Sequence, residues 1–193
     1  MLQKLYDKYV CPHLINYAMQ MKPFRKQREK VIPSASGRVL EIGIGSGLNF
    51  NYYNKENVSE VFAVEPDRIL LEKAQQNAKI NNINLNVQQL KAEELPFDNN
   101  SFDTIISTYT MCSIPGLSSA MSEINRVVKP NGKLLFSEHG KSPDMNVFKW
   151  QKRMNGIQKR IAGGCHLDVD IPNQIIKAKF KLNKNDSMYI HGP

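Results

Sequence analysis

Three glycines in five residues, Gly43-Ile44-Gly45-Ser46-Gly47, follow the short apolar run Val39–Ile42. Glycines so placed let a chain leave a strand, turn sharply and approach a ligand with no Cβ in the way. The amides that come next can point into the same crevice. Spacing separates the kinds of binder that share such loops. A dinucleotide fingerprint sets glycines at the first, third and sixth positions. Here the sixth is Leu48, and the last glycine comes one residue early, at Gly47. A P-loop would close with Gly-Lys-Ser/Thr, and Leu48-Asn49 does not. The next apolar run ends in Val64-Glu65-Pro66-Asp67, about twenty residues on, where a carboxylate at a neighbouring strand tip can accept both hydroxyls of a ribose. Asp67 is the better placed of the two acids to start a helix, which leaves Glu65 for the ribose. Glu41, inside an otherwise apolar run, is expected to face the cleft with a partner.

These residues resemble a known family. Val39-Leu40-Glu41-Ile42-Gly43-Ile44-Gly45-Ser46-Gly47 is similar to the first motif of class I S-adenosylmethionine-dependent methyltransferases of the type 11, UbiE-like group. Ala92-Glu93-Glu94-Leu95-Pro96-Phe97, Ser101-Phe102-Asp103 and Glu123-Ile124-Asn125-Arg126-Val127-Val128-Lys129-Pro130-Asn131-Gly132-Lys133 match later motifs in order and spacing. The resemblance implies S-adenosylmethionine as cofactor and S-adenosylhomocysteine as product. It implies that Glu41 and the backbone of Gly43, Ile44, Gly45, Ser46 and Gly47 hold the methionine part, and Glu65 the ribose. Ala92 and Glu93 are placed beside the adenine, and Asn49, Pro66 and Thr108 also fall on the cofactor side. Many relatives carry Asp just before that Ala. Here Lys91 stands there, which leaves the adenine amino group to Glu93 or to backbone carbonyls.

The acceptor side is read from Thr108-Tyr109-Thr110-Met111-Cys112-Ser113-Ile114, Phe136-Ser137-Glu138-His139 and Gly163-Gly164-Cys165-His166-Leu167. Across Ser101–Phe180 these segments resemble the methyltransferase-like 7 family of thiol S-methyltransferases and its bacterial relatives. The resemblance implies a small-molecule methyl acceptor, a thiol first, with a quinone precursor or a phospholipid amine behind it. A cofactor-binding protein without turnover is the alternative from another class. Tyr9, Tyr109, Cys112 and His166 are expected to line the acceptor pocket. His139, after the fifth strand, is the candidate base for a thiol proton, since imidazole titrates in the right range; a structural His–Glu pair is the competing reading. Cys112 reads as a small buried hydrophobe rather than a nucleophile. Cys11, Cys112 and Cys165 lie far apart in sequence, and the adjacent pair Cys165-His166 cannot close a metal site, so no metal is expected.

The elements must bring these positions together. Strand, loop and helix alternate from Arg38 onward. Strands are expected at Val39–Ile42, Glu60–Val64, Leu85–Leu90, Phe102–Ser107 and Lys133–Ser137, and helices around Ser46–Tyr53, Asp67–Ile80 and Leu117–Val128. Lys129-Pro130-Asn131-Gly132 reads as a turn. The pattern predicts an α/β protein with a doubly wound, Rossmann-like, mostly parallel sheet and helices on both faces. Ahead of it, apolar residues from Leu2 to Met21 recur at helical spacing, with Pro12 kinking or dividing the helix. A second helix after Pro23 ends before Pro33. After the core, helices are expected over Asn146–Ile161 and Asp168–Ala178, a sixth strand at Lys179–Leu182 and an extended piece at Met188–Ile190. The resemblance implies an antiparallel hairpin after the sixth strand, and the sequence ends about where its last strand should begin. That strand is therefore expected to be cut off, supplied by another chain or missing from a sheet that ends short; an unpaired sheet edge would allow self-association.

One domain is expected, with residues 1–33 as a helical lid or cap, 37–138 as the cofactor core and 139–193 on the substrate side. The chain has 193 residues and a net charge of +8. That charge is compatible with anionic partners, but it is dispersed, and the Asn/Asp-Pro-Pro-aromatic motif of amino-directed DNA methyltransferases is absent, so no nucleic acid is expected. No apolar run approaches the ~20 residues of a membrane span. The amphipathic N-terminal stretch could still touch a membrane surface peripherally. A cytoplasmic location is the default expectation.

Overall fold

Along β1 (Gly37–Ile42) side chains alternate between two faces of a sheet, as a period of two requires. Val39 packs on one face with Val61, Ala63, Ile106 and the small residues Ala74 and Ala78 of helix α4 (Arg68–Ile80). Leu40 and Ile42 pack on the other with Phe62, Val64 and Ile105, under Ala120, Met121, Ile124 and Val127 of α5 (Leu117–Val127) and Ile171 and Ile175 of α7 (Ile171–Lys177). A strand apolar on both faces needs helices on both faces, and that is the layer arrangement found. The computed structural model describes residues 2–189.

The remaining strands are β2 (Val58–Val64), β3 (Leu85–Gln88), β4 (Phe102–Thr108) and β5 (Val128–Ser137). The sheet runs β3-β2-β1-β4-β5, and every neighbouring pair is parallel. Strand order reverses between β1 and β4, so their C-terminal ends flank the crevice in which open sheets of this kind bind ligands. Three helices precede the sheet: α1 (Leu2–Tyr9), α2 (Cys11–Met19) and α3 (Lys22–Val31). Pro12 divides rather than kinks the first two, sitting in the opening turn of α2 where a missing N–H costs nothing. Helix α6 (Met145–Ile161) follows β5, with Asp144 capping the amides of Asn146 and Val147.

The three downstream motifs brace one another beside the sheet. Glu123 accepts from the Leu95 amide at 2.9 Å, and Arg126 donates to the carbonyls of Leu95 and Phe97 at 2.9 and 2.6 Å. Asp103 accepts from the Arg38 amide and pairs with Lys129 at 2.6 Å.

Several elements differ from the sequence expectation. Ser46–Tyr53 is not an α-helix: Gly47 has φ +81°, outside helical space, and only a 3-10 turn at Phe50–Tyr52 follows. Strand β3 ends at Gln88, two residues early, and α7 occupies only Ile171–Lys177. The segment Lys129–Gly132 belongs to β5 rather than to a preceding turn, and the ladder with β4 slips there, pairing Phe102 with Val128 but Thr104 with Lys133. No strand forms at Lys179–Leu182. Lys179, at φ +66°, donates to Ile176 and Phe180 donates to Ile175, so these residues close the end of α7 as a Schellman cap. Phe180 and Leu182 still pack against the core without strand hydrogen bonds. Met188 and Tyr189 carry no regular structure, and Ile190 lies outside the described residues. Among the described residues the sheet therefore ends at β5. No helix among them is long and apolar enough to cross a membrane.

Candidate active site

A cavity of about 320 Å³ opens over the C-terminal ends of β1, β2 and β4. Its floor is the glycine loop. A Cβ built on Gly45 would meet nothing within 4 Å, so here the backbone faces open space, and its φ of +58° suits glycine. The Gly45 amide donates to Glu65 Oε2 at 2.8 Å, and the Asp67 amide to Glu65 Oε1 at 2.9 Å. Both carboxylate oxygens keep lone pairs for further donors. Burial pushes the Glu65 carboxyl up, against those two amides. Asp67 itself caps α4, accepting from Leu70 at 2.9 Å, the helix-start role expected of it.

Behind the loop lies a buried polar cluster. Glu41, 1% exposed, accepts from Asn49 Nδ2 at 2.7 Å and from the Tyr53 hydroxyl at 2.7 Å. Asn49 also donates to Thr108 at 3.1 Å. Desolvation raises the Glu41 carboxyl to about 7, opposed by the hydrogen bonds of Tyr53 and Asn49 and by the charge of Arg28. Asn49 Oδ1 is buried and has no partner, an acceptor waiting for a donor.

Arg28 of α3 lines the same cavity at 3% exposure. It donates to the Met19 carbonyl at 2.8 Å and lies 5.3 Å from the Tyr109 ring centre. Its Nε is buried without a partner, and it makes no ion pair among the described residues. Burial lowers its pKa. A buried cation without a carboxylate is costly unless a ligand brings one. Sequence reasoning missed Arg28; the signal was its place four residues after Phe24, whose ring packs edge-on to Tyr109 at 5.0 Å.

Of the residues expected on the cofactor side, Glu41, Gly43, Ile44, Gly45, Ser46, Asn49, Glu65, Pro66, Ala92, Glu93 and Thr108 line the cavity together. Gly47 does not: a Cβ there would strike Phe50, and its role is to make the turn. Lys91 lines the cavity beside Ala92, and Glu93 accepts from the Gly116 amide at 3.2 Å. Cys11, Pro12, Ile15, Asn16 and Met19 of α2, with Asp7 of α1, form its cover. The cover is fastened by Ser46 to Asn16, by Lys73 to His13 at 3.0 Å, and by Gln3 and Tyr6 to the carbonyls at the end of α6.

The acceptor-side expectations fare less well. Tyr109 lines the cavity at φ +57°, a left-handed conformation that costs about 1–3 kcal/mol for such a residue. Its amide donates to the Ser137 carbonyl at 2.9 Å, and Ser137 Oγ donates to its hydroxyl at 3.1 Å. Tyr9, Cys112, His139 and His166 lie outside the lining. Tyr9 is 54% exposed; two residues from Asp7, it falls on the opposite side of the helix. His166 is held in its loop by its backbone amide, which donates a hydrogen bond to the Cys112 carbonyl at 2.9 Å. Glu138 turns onto the loop after β4, accepting from Ser107, Thr110 and Met111. His139 therefore turns the other way, where Nε2 meets Cys165 Sγ at 2.9 Å. It pairs with a cysteine rather than with Glu138, and it does not face the cavity.

Cys165 Sγ also lies 3.4 Å from Cys112 Sγ. The cysteines that look unrelated in sequence thus meet in space, and the adjacency of Cys165 to His166 was a misleading guide to ligand sets. The hydrogen bond between the sulfurs holds the Cys165 thiol low and the Cys112 thiol high, with His139 also favouring a Cys165 thiolate. Burial is the largest influence on His139 and opposes its charge, but the Cys165 hydrogen bond and the charges of Cys165 and Glu138 together outweigh it, and the imidazole is raised.

Residues 40–136 match the family described as methyltransferase domain. The rat thiol S-methyltransferase TMT1B is 29% identical over 153 residues, covering 74% of this chain and 59% of the relative. The Rickettsia prowazekii ubiquinone/menaquinone biosynthesis C-methyltransferase UbiE is 31% identical over 147 residues, covering 70% and 57%. The chain thus spans less than two thirds of the length of these curated relatives. Among solved structures, the Bacillus subtilis YcgJ protein superposes with a TM-score of 0.65 at 24% identity, covering 81% of this chain and 66% of that one. That likeness concerns the fold.

Proposed function

Because the chain belongs to the methyltransferase domain family, with S-adenosylmethionine as cofactor, we propose that it transfers a methyl group to a small-molecule acceptor, a thiol first. The observation that carries the reading is one cavity lined both by Gly45, Glu65, Asn49 and Arg28 and by Tyr109, Ser113, Ile114 and Pro115.

The residues present fit the cofactor. The unpartnered Asn49 Oδ1 and the Glu41 carboxylate suit an ammonium, and the unpaired Arg28 suits a carboxylate, so together they would hold an amino-acid moiety. Glu65, fixed by the Gly45 and Asp67 amides, would accept from ribose hydroxyls. Ala92 and Leu90 offer apolar contact to a base, with Glu93 and Lys91 beside them. When bound, the cofactor supplies an electrophilic methyl carbon on a sulfonium. The protein's task is then orientation, which can supply about 7–11 kcal/mol, and exclusion of water by the α1–α2 cover. A thiol with a pKa near 8.5 is partly ionised at neutral pH, so it needs no dedicated base, in keeping with a His139 turned away from the cavity. The names of the TMT1B relatives support the thiol, and the apolar Ile15, Met19 and Ile114 of the lining suit a small, partly apolar acceptor.

The test is transfer of labelled methyl from S-adenosylmethionine across a panel of small thiols, amines and phenols. Labelled thioether from at least one thiol supports the reading. Transfer confined to phenols or amines contradicts the thiol preference, and complete silence with tight cofactor binding favours a protein without turnover.

A further inference from the structure

We propose that Cys112, His139 and Cys165 form a binding site for one zinc ion. Their Sγ, Nε2 and Sγ atoms all lie within 4.8 Å of one another, with His139 at 2.9 Å from Cys165 and the two sulfurs 3.4 Å apart. In a tetrahedral zinc site, bonds of about 2.3 Å to sulfur and 2.0–2.1 Å to nitrogen put such ligand atoms roughly 3.5–3.8 Å apart. Opening the His139–Cys165 edge by roughly 0.6 Å and the sulfur–sulfur edge by roughly 0.4 Å would bring them to that spacing.

The three ligands come from separate segments that the fold brings together: the loop after β4, the end of β5 and the loop between α6 and α7. Each is placed by other bonds. His166 donates to the Cys112 carbonyl, the Cys165 amide donates to Ala162, and neighbouring Glu138 is anchored by three donors. Two sulfurs and an imidazole form a soft donor set that suits zinc and not a hard cation. Gln158 Nε2 donates to Cys165 Sγ at 3.7 Å, as an outer partner of a ligand thiolate does. A disulfide would instead leave His139 and Gln158 directed at a sulfur that no longer bears charge.

The cluster adjoins the cavity without lining it. Ser113 and Gly163, each one or two residues from a ligand, do line it, and Ser113 Oγ is 3.6 Å from Cys112 Sγ. An ion here would tie the three segments into one wall on the acceptor side. The inference concerns metal binding alone and holds whichever acceptor is methylated.

The full chain, purified with reductant and stripped with chelator, is titrated with zinc against a chromophoric indicator. The expected result is one equivalent bound, at least 100-fold weaker in Cys112→Ser and in Cys165→Ser and at least tenfold weaker in His139→Ala. Cys11→Ser and His166→Ala should match the unaltered protein. Cobalt in place of zinc should give the near-ultraviolet charge-transfer band of thiolate ligation together with tetrahedral visible bands. These two readouts on the unaltered chain decide the matter even if a variant fails to fold. No zinc bound at micromolar concentration, a cobalt spectrum without sulfur ligation, or full binding by the Cys112→Ser/Cys165→Ser double variant would overturn the site.

Discussion

Asn49 donates its side-chain amide to Glu41 at 2.7 Å, while its carbonyl oxygen is buried with no partner. The pair gives the cavity a pH signature. Desolvation holds the free Glu41 carboxyl near 7, above its ordinary 4.5. Its contribution to stability is therefore complete below the unfolded value and is lost as pH rises through the folded one, by about 3 kcal/mol. An ammonium beside Glu41 reverses the preference and favours the carboxylate. S-adenosylhomocysteine affinity should climb between about pH 5 and 7, with release of up to one proton. Calorimetry in two buffers of different ionisation heat counts that proton; flat affinity with no proton released contradicts the placement.

Arg28 supplies a second signature. Arg28→Met should weaken S-adenosylhomocysteine about 10–100-fold, the scale of a hydrogen bond to a charged group. It should leave 5′-methylthioadenosine, which lacks the amino-acid part, unchanged. Equal weakening of both ligands would mean that Arg28 acts by shaping the pocket through Tyr109.

Glu65 is tied to the loop as well as to the expected ribose position. Glu65→Ala should cost about 1–3 kcal/mol of cofactor binding, read by calorimetry as weaker affinity at unchanged stoichiometry. An unchanged affinity removes Glu65 from the site.

Lys179 tests the end of the fold. As the left-handed residue of a helix cap, its replacement by glycine should stabilise the protein by about 1 kcal/mol, measured by urea unfolding. If residues 179–182 paired as a strand instead, glycine would destabilise by about 0.5–1 kcal/mol.

The parallel sheet was legible in the sequence, as was the gathering in one cavity of most residues expected on the cofactor side, because both rest on local signals. Short apolar runs ended by glycine or acid place Gly45, Glu41 and Glu65, and the topology of such units does the rest. The acceptor half was not. His139 and Cys165 lie 26 residues apart and meet only because Glu138 takes the opposite side at the end of β5. Arg28 looks like one more cation on a basic helix, and only packing of α3 against Tyr109 shows that it is buried. Lys179 carries no glycine to announce a helix cap, so its segment reads as a strand. Long-range contacts and the residue that loses a competition for one face are what a linear pattern cannot show.

Calorimetric titration with S-adenosylhomocysteine and, separately, with NAD tests whether the cavity over β1, β2 and β4 is an S-adenosylmethionine site. One equivalent of S-adenosylhomocysteine should bind, and NAD should not bind detectably. Binding of NAD alone, or of neither, would contradict that assignment.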